Sequence, residues 1–390
     1  MNREEFLKNH WKSYPSFLNT DRQLIYGRIN KIHNNYLELV FNGEATQVQF
    51  DNLVETDDEY YGASIPATFL NIGDSVLFKN QSFYLLSPNF NNSWRFDSQS
   101  ADWSQFLNSV TDFFEDNDFV SIKTPFLVTS PGVDHHIDFM EVKAVNTQRK
   151  WTLPTSPEIS LKKHLCLGYD NIFEIKSCFR DDLPGPDHSA EFTMLEWYRT
   201  FSDLDAIQED LHSLLTVLSG KELELKVRSV AQCFKDELNF ELTPETSLGL
   251  LKELADKVGI EISAGDDWND AFFRIFMERI EPKLGVGGPE IITQFPPQQA
   301  SLAQIDSSGW AARFEIYWSG VELGNAYLEV NDPSENRSRF LEESKKRSQK
   351  GVSLAPMDEE FFEYLQNGMP PSAGIAMGMD RLFRLLKTNA

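Results

Sequence analysis

Cysteine is scarce and unpatterned in this chain. The three, Cys166, Cys178 and Cys233, are odd in number, lack Cys-x-x-Cys spacing and have no histidines at zinc-finger intervals. That excludes a disulfide framework and a structural zinc site, and leaves reduced structural thiols. Long apolar runs are missing too: the roughly 18 consecutive apolar residues that a membrane-spanning helix needs occur nowhere, and Met1-Asn2-Arg3-Glu4-Glu5-Phe6 has no apolar signal core. A soluble, cytoplasmic protein without a membrane role is the expectation. Positive charge is in short supply, with 36 Lys and Arg against 60 Asp and Glu and a net charge of −24. Such a field repels polyanions unless basic residues are concentrated locally, so broad nucleic-acid binding is disfavoured. No internal repeat or low-complexity tract is present.

What is present is an ordinary globular composition, 41% hydrophobic and 25% charged over 390 residues, enough chain for two or three domains of about 150 residues each. From Gln23 to Leu86 short β-type runs such as Leu24–Ile29, Tyr36–Phe41 and Ser82–Leu86 alternate with Asn34-Asn35, Asn42-Gly43 and Gly73-Asp74, the punctuation of a small antiparallel barrel or sandwich. A stretch rich in Asn, Ser and Pro between Ser87 and Ser100 puts a domain boundary near residue 95, giving a β-rich, OB-like domain over 1–95 and a second domain over 96–390. The second opens on an amphipathic helix marked by Trp103, Phe106, Leu107, Val110, Phe113 and Phe114, with Ser100 and Asp102 as N-cap candidates. An extended segment ending in Pro125 follows. The pattern then gives a helix over 158–167, strands over 171–179 and 191–198, and helices over 205–218, 246–257 and 267–283. Two strands, 313–318 and 321–324, are hinged at Ser319-Gly320, and helices over 335–349 and 358–366 precede the closing run Ala373–Leu382. Strands interleaved unevenly with helices predict an α+β fold with a mainly antiparallel sheet.

Four groups of residues could carry chemistry. Period two along Glu191–Tyr198 places Phe192, Met194, Glu196 and Tyr198 on one strand face, an aromatic plate beside a carboxylate and a phenol. Taken alone this is ordinarily a half-buried strand with Leu195 and Trp197 in the core. The neighbouring strand ends on Phe179-Arg180, and a ten-residue loop holding Pro184, Gly185, Pro186 and His188 joins the two, longer than a hairpin requires; flanked by Arg180 and His188 it has the look of an anion clamp. Gly374 and Gly378 stand where a strand turns into a helix, allowing close approach of backbone or a flat ligand, with Arg381 in the first helical turn. Glu322 and Glu329 lie seven apart, an interval that aims them oppositely on an unbroken strand. If a break near Gly324 lets them converge, they offer hard oxygen ligands for Mg²⁺ beside phosphates; unpaired, they are surface acids.

Together these residues resemble the catalytic domain of class II aminoacyl-tRNA synthetases over about Ser100 to Leu386. Phe179-Arg180, the loop and Glu191-Phe192 onward are similar to the family's motif 2. Gly378-Met379-Asp380-Arg381-Leu382 is similar to motif 3, and Pro125 takes the place of the motif 1 proline. Thr155-Ser156-Pro157-Glu158, Glu191–Arg199, Gln299–Gln304 and Asn367-Gly368-Met369-Pro370 are similar to the lysyl-tRNA synthetase paralogues that attach β-lysine to elongation factor P. The resemblance implies ATP-dependent formation of an aminoacyl adenylate, with ATP and Mg²⁺ bound and the amino-acid carboxylate itself as nucleophile. It implies that the catalytic Arg180 and Arg381 hold the α- and γ-phosphates, that Phe192 stacks on adenine, and that Asp181, Asp182, His188, Ser189, Leu323 and Gly378 complete the ATP site. Glu322 and Glu329 would bind Mg²⁺, and Ser156, Pro157, Glu158, Tyr198, Glu329 and Ala376 would line the amino-acid pocket. Ala376 stands where lysyl-tRNA synthetases carry glycine, which favours β-lysine over α-lysine. A homodimer acting on a lysine of elongation factor P is implied.

The chain departs from the family pattern at Asp181-Asp182, Pro186-Asp187 and Ser189-Ala190, which together lose a cation and gain acid near the triphosphate, and at Asn325-Ala326-Tyr327. Asp51, Glu55, Asp57, Asp58 and Glu59 make the N-terminal segment a poor anticodon binder, so tRNA is a disfavoured partner and this segment is expected to serve protein contact or dimer support. Two rival readings are a tRNA-charging enzyme and a non-catalytic, regulatory paralogue.

Overall fold

Alternating apolar residues build the N-terminal sheet. Ile29, Leu37, Leu39, Val48 and Val76 are buried on strands β1 (Ile25–Ile32), β2 (Tyr36–Phe41), β3 (Glu44–Gln49), β4 (Ser75–Lys79) and β5 (Ser82–Ser87). These pair antiparallel in the order β3-β2-β1-β4-β5. The computed structural model describes residues 25–32, 36–41, 44–49, 57–58, 62–63, 74–79, 82–87 and 98–388, apart from 133–135, 147–149, 183–184, 186–188 and 351–352. Asp51, Glu55 and Glu59 therefore lie outside the described residues, as do the side chains of Asp57 and Asp58. The chain divides into two compact units, 1–108 and 109–390, the division falling inside helix α1 (Ser98–Asp116).

The second unit is organised on an eight-stranded sheet of β6 (Val120–Ser121), β7 (Ile172–Phe179), β8 (Glu191–Thr200), β9 (Lys226–Ser229), β10 (Glu290–Phe295), β11 (Ala311–Trp318), β12 (Val321–Leu328) and β13 (Ser372–Gly378). Its order is β9-β10-β11-β12-β13-β8-β7-β6. Only the outermost pairs, β9 with β10 and β6 with β7, are parallel. The chain is thus α+β with a mainly antiparallel sheet, and a smaller all-β sheet precedes it. Ser319 and Gly320 both have positive φ, 54° and 74°, as a two-residue hairpin between β11 and β12 demands.

Helix α2 (Glu158–Cys166) precedes β7, and α3 (Leu204–Ser219) begins at Asp203, whose carboxylate accepts from the N–H groups of Asp205 and Ala206. Asp210 of α3 accepts from Trp197 Nε1 at 3.3 Å and from Arg199 Nε at 2.7 Å. Those two residues alternate with Glu196 and Tyr198, so α3 covers the sheet face opposite the candidate site. Three further helices, α4 (Val230–Leu238), α5 (Leu248–Val258) and α6 (Trp268–Arg279), close over an aromatic core in which Phe272 stacks on Trp268, Phe234 and Phe276 with ring centroids 5.2, 5.5 and 5.7 Å away. Helices α7 (Pro333–Lys350), α8 (Glu359–Gln366) and α9 (Met379–Thr388) complete the unit. The apolar face of α2, Leu161 and Leu165, packs with Phe361, Phe362 and Leu365 of α8.

Among the elements of the large sheet and its helices, β9, α4 and β10 were not foreseen in the sequence. The β-branched run Ile291-Ile292-Thr293 and the Ser229 side chain that caps α4 by accepting from Gln232 N–H at 3.1 Å were the available signals. Among the described residues no helix is long and apolar enough to cross a membrane. None of the three cysteines is paired; burial pushes the Cys166 thiol up to about 11 and that of Cys233 to about 12, so both stay protonated near neutrality.

Candidate active site

Period two along four adjacent strands puts one row of side chains after another on the same sheet face. The register sets Met194 against Gly378, Glu196 against Ala376 and Tyr198 against Gly374, then Ala376 against Asn325 and Gly374 against Tyr327, then Asn325 against Glu315 and Tyr327 against Arg313. The middle strand β13 contributes only two glycines and an alanine to this floor, which leaves it open. A Cβ on Gly374 would lie 2.3 Å from the Tyr198 ring, so the phenol lies directly across that glycine. Above the floor is a cavity of about 640 Å³, the size of a small-molecule site.

A bulge decides where Glu322 points. Ile316 pairs with Gly324 and Tyr317 with Glu322, so Leu323 is an extra residue on β12. One extra residue shifts the alternation by one step and turns Glu322 onto the face of Asn325, Tyr327 and Glu329. The odd spacing of seven is thereby resolved, and both glutamates line the cavity.

At one end of the cavity sit the arginines. The Arg180 guanidinium lies 4.9 Å from the centre of the Phe192 ring, a cation–π contact, while its buried Nε has no partner among the described residues. An orphaned cationic donor in a cavity fits an incoming anion. The Arg180 N–H donates to Ala190 O at 3.0 Å, pinning the far end of the loop between β7 and β8. Arg381, in the first turn of α9, donates to Glu322 O at 2.8 Å, and Asp380 accepts from Thr193 N–H at 2.7 Å, tying α9 to β8 and β12. Burial pushes the Glu322 carboxyl above its ordinary range against the pull of Arg381, Arg313 and Arg180.

At the other end sit carboxylates. Tyr198 donates to Glu196 Oε1 at 2.5 Å. Burial, reinforced by Glu158, drives Glu196 well above the usual carboxylate range; burial and the Glu196 charge likewise raise the Tyr198 phenol. Lys162, on the buried side of α2, reaches Glu158 Oε1 and Glu329 Oε2, each at 2.6 Å. Burial raises the Glu329 carboxyl to about 7, with Lys162 pulling down and Glu158 pushing up. Ser156 lines the same end, and the main chain there is fixed by Gln304, whose side-chain amide donates to Glu329 O at 2.8 Å.

Most of the residues expected from the sequence meet in this one cavity. Arg180, Asp182, Ser189, Phe192, Leu323, Gly378 and Arg381 line the arginine end or its approach, and Ser156, Glu158, Tyr198, Glu329 and Ala376 the rest. Pro157 instead occupies the N-cap of α2, and Asp181 turns its N–H to Asp138 O at 3.0 Å, so neither lines the cavity. His188 lies outside the described residues.

The expected metal pair needs correction. Glu322 and Glu329 share a face but stand on the order of 20 Å apart along extended chain, too far apart to hold one ion. Glu322 is adjoined by Glu281, just after α6, and by Glu315, on the neighbouring strand. Burial raises the latter to about 7, with Arg313 lowering it and the Glu322 charge raising it. Glu315 accepts from Arg313 and, at 2.5 Å, from Tyr317 Oη. A buried and a half-buried carboxylate held this way suit a hard cation that takes its remaining ligands from phosphate and water; among the described residues no site of three or more candidate ligands exists. Sequence reasoning also missed Lys162 and Arg313. Lys162 carried a signal, a lysine four residues after Glu158 on an otherwise apolar helix face.

Residues 98–390 match the family model for class II tRNA synthetases (D, K and N). The chain belongs to this family. It is 36% identical to the elongation factor P–(R)-β-lysine ligase homologue of Aquifex aeolicus (strain VF5), over 73% of this chain and 93% of that protein. It is 34% identical to the elongation factor P–(R)-β-lysine ligase of Pectobacterium atrosepticum, over 72% and 89%, and 32% identical to that of Proteus mirabilis, over 74% and 94%. As a class II synthetase-like ligase it activates an amino acid with ATP.

Proposed function

We propose that the chain activates (R)-β-lysine or lysine as the aminoacyl adenylate and transfers it to a lysine side chain of elongation factor P. The observation that carries this reading is the carboxylate end: Glu158, Glu196 and Glu329 around one cavity, two of them 1% exposed. Buried carboxylates without guests are costly, and a diamino acid brings the ammonium groups that repay the cost. An apolar or neutral substrate would leave three carboxyl groups facing the single ammonium of Lys162. The relatives named above are ligases of the same substrate and acceptor, which supports this reading.

The chemistry needs no protein nucleophile. A carboxylate oxygen of the amino acid attacks the α-phosphorus of ATP, the bond to the β-phosphate oxygen breaks, and pyrophosphate leaves. The ε-amine of the acceptor lysine then attacks the acyl carbon, a proton is lost, and AMP departs. Catalysis is therefore alignment and neutralisation. Arg180 meets the α-phosphate with its unused Nε, Arg381 the terminal phosphate, and the Phe192 ring offers a face to adenine. Mg²⁺, held by Glu315 and Glu322, would offset charge on the phosphates. At the far end Glu158 and Glu329 fix the ammonium groups so that the carboxylate faces Arg180. The Ala376 methyl lies between Glu196 and Asn325, where it shapes the backbone path of the amino acid. Its replacement by glycine is expected to raise exchange with α-lysine relative to (R)-β-lysine by about tenfold; an unchanged ratio would remove Ala376 from the selectivity account.

The function is tested by ATP–pyrophosphate exchange with α-lysine and (R)-β-lysine, followed by transfer of labelled amino acid to elongation factor P or to tRNA. Label on tRNA alone would establish the tRNA-charging alternative, and no exchange with any amino acid the regulatory one. A homodimer is part of the proposal. Val120, Phe126 and Leu127 are 46%, 53% and 47% exposed at the β6 end of the sheet. The Lys176 ammonium holds that segment by donating to Thr124 O at 2.7 Å and Pro125 O at 2.8 Å.

A further inference from the structure

Lys162 is the one lysine of α2 that the sequence pattern puts on the wrong side. Ile159, Leu161 and Leu165 are buried on this helix, and Lys162 is buried with them, 1% exposed. A buried ammonium is expensive unless paired, and this one is paired twice, at 2.6 Å to Glu158 Oε1 and at 2.6 Å to Glu329 Oε2. The two carboxylates come from different elements, one from the first turn of α2 and the other just past the end of β12, and nothing else described joins them. Without a cation between them they would repel across a low-dielectric gap. With it, each spends one oxygen on Lys162 and keeps the other.

We propose that Lys162 is a resident counter-ion and positioning residue. It clamps Glu158 and Glu329 together by one oxygen each, so that their second oxygens form a paired carboxylate seat for the ammonium of an incoming diamino acid. The inference rests on the reading of the cavity as a diamino-acid activating site and adds a residue to it. The groups facing the seat account for the charge: Glu158 and Lys162 from α2, Glu196 and Tyr198 from β8, and Glu329 beyond β12. Three carboxylates against one ammonium leave the seat short of positive charge. A ligand with a single ammonium compensates less of that deficit than one with two. A lysine here thus does more than neutralise: it pulls against the burial and the Glu158 charge that favour a protonated Glu329, and leaves three carboxyl groups facing one ammonium, a site that a cationic guest completes.

The test is equilibrium binding, by calorimetry on the full chain, of ATP, of lysine and of (R)-β-lysine to the unaltered protein, Lys162→Gln and Lys162→Arg. Glutamine keeps a hydrogen-bond donor and loses the charge; arginine keeps the charge but spreads the carboxylates with a longer, planar head. Diamino-acid affinity is expected to fall about a hundredfold for Lys162→Gln and about tenfold for Lys162→Arg, with ATP affinity within twofold of the unaltered protein in both. Should the glutamine variant fail to fold, the arginine variant still decides. Diamino-acid affinity unchanged in a folded variant, or ATP affinity falling by the same factor, overturns the clamp. An unaltered protein that exchanges pyrophosphate with lysine or (R)-β-lysine while Lys162→Arg and any folded Lys162→Gln bind it undiminished would contradict the clamp and leave the function standing. One that binds the diamino acid through Lys162 yet exchanges no pyrophosphate would contradict the function and leave the clamp standing. No binding of either diamino acid contradicts both.

Discussion

A carboxyl at about 7, as at Glu329, ties the stability of the empty site to pH. Its unperturbed value is 4.5, so between these pH values the folded protein keeps a proton that the unfolded chain has released. The associated stability is fully present below about 4.5 and is lost as pH rises through about 7. The unfolding temperature of the ligand-free protein is therefore expected to fall between pH 5 and pH 8, and Glu329→Gln to flatten that slope; an identical slope in the variant would show that Glu329 does not titrate there. Arg381 is proposed to act on the substrate side. Its replacement by alanine removes a cation from the triphosphate end and one hydrogen bond to Glu322 O. Exchange should fall on the order of a thousandfold, with the unfolding temperature lowered by no more than a few degrees. Full activity in Arg381→Ala would contradict the assignment of the arginine end.

At the scale of elements, the floor depends on β13 being small. Gly374→Ala puts a methyl into the Tyr198 ring, and since Tyr198 is wedged by its hydrogen bond to Glu196, overpacking should cost about 1–3 kcal/mol and weaken diamino-acid binding more than ATP binding. Equal stability measured by thermal unfolding would mean the phenol moves aside freely. Much of this floor was legible in the sequence, because period two along Glu191–Tyr198 and the glycines of Gly374–Gly378 need only local rules. The position of Glu322 was not: the bulge at Leu323 is set by the pairing of β12 with β11, which no local pattern reports. The same limit explains the metal pair. Glu322 with Glu329 looked plausible along the chain, whereas Glu315 is its neighbour only across the strands. Lys162 was hidden for a related reason, since its second partner lies far along the sequence.

For the whole molecule, a sheet whose β6 end exposes Val120, Phe126 and Leu127 should pair with its copy. Sedimentation velocity is expected to give twice the mass of one chain, and the double substitution Phe126→Asp with Leu127→Asp to give the monomer; a monomeric unaltered chain would refute the dimer. The net charge of −24 bears on the acceptor, because it favours a compact protein partner over a long polyanion. Every part of the account meets in one reaction, so the most direct measurement is ATP–pyrophosphate exchange by the full chain with (R)-β-lysine and with lysine, followed by label transfer. Exchange that depends on a diamino acid, with label arriving on elongation factor P, is the predicted result. Exchange with neither amino acid, or exchange driven equally well by a neutral amino acid, would contradict it.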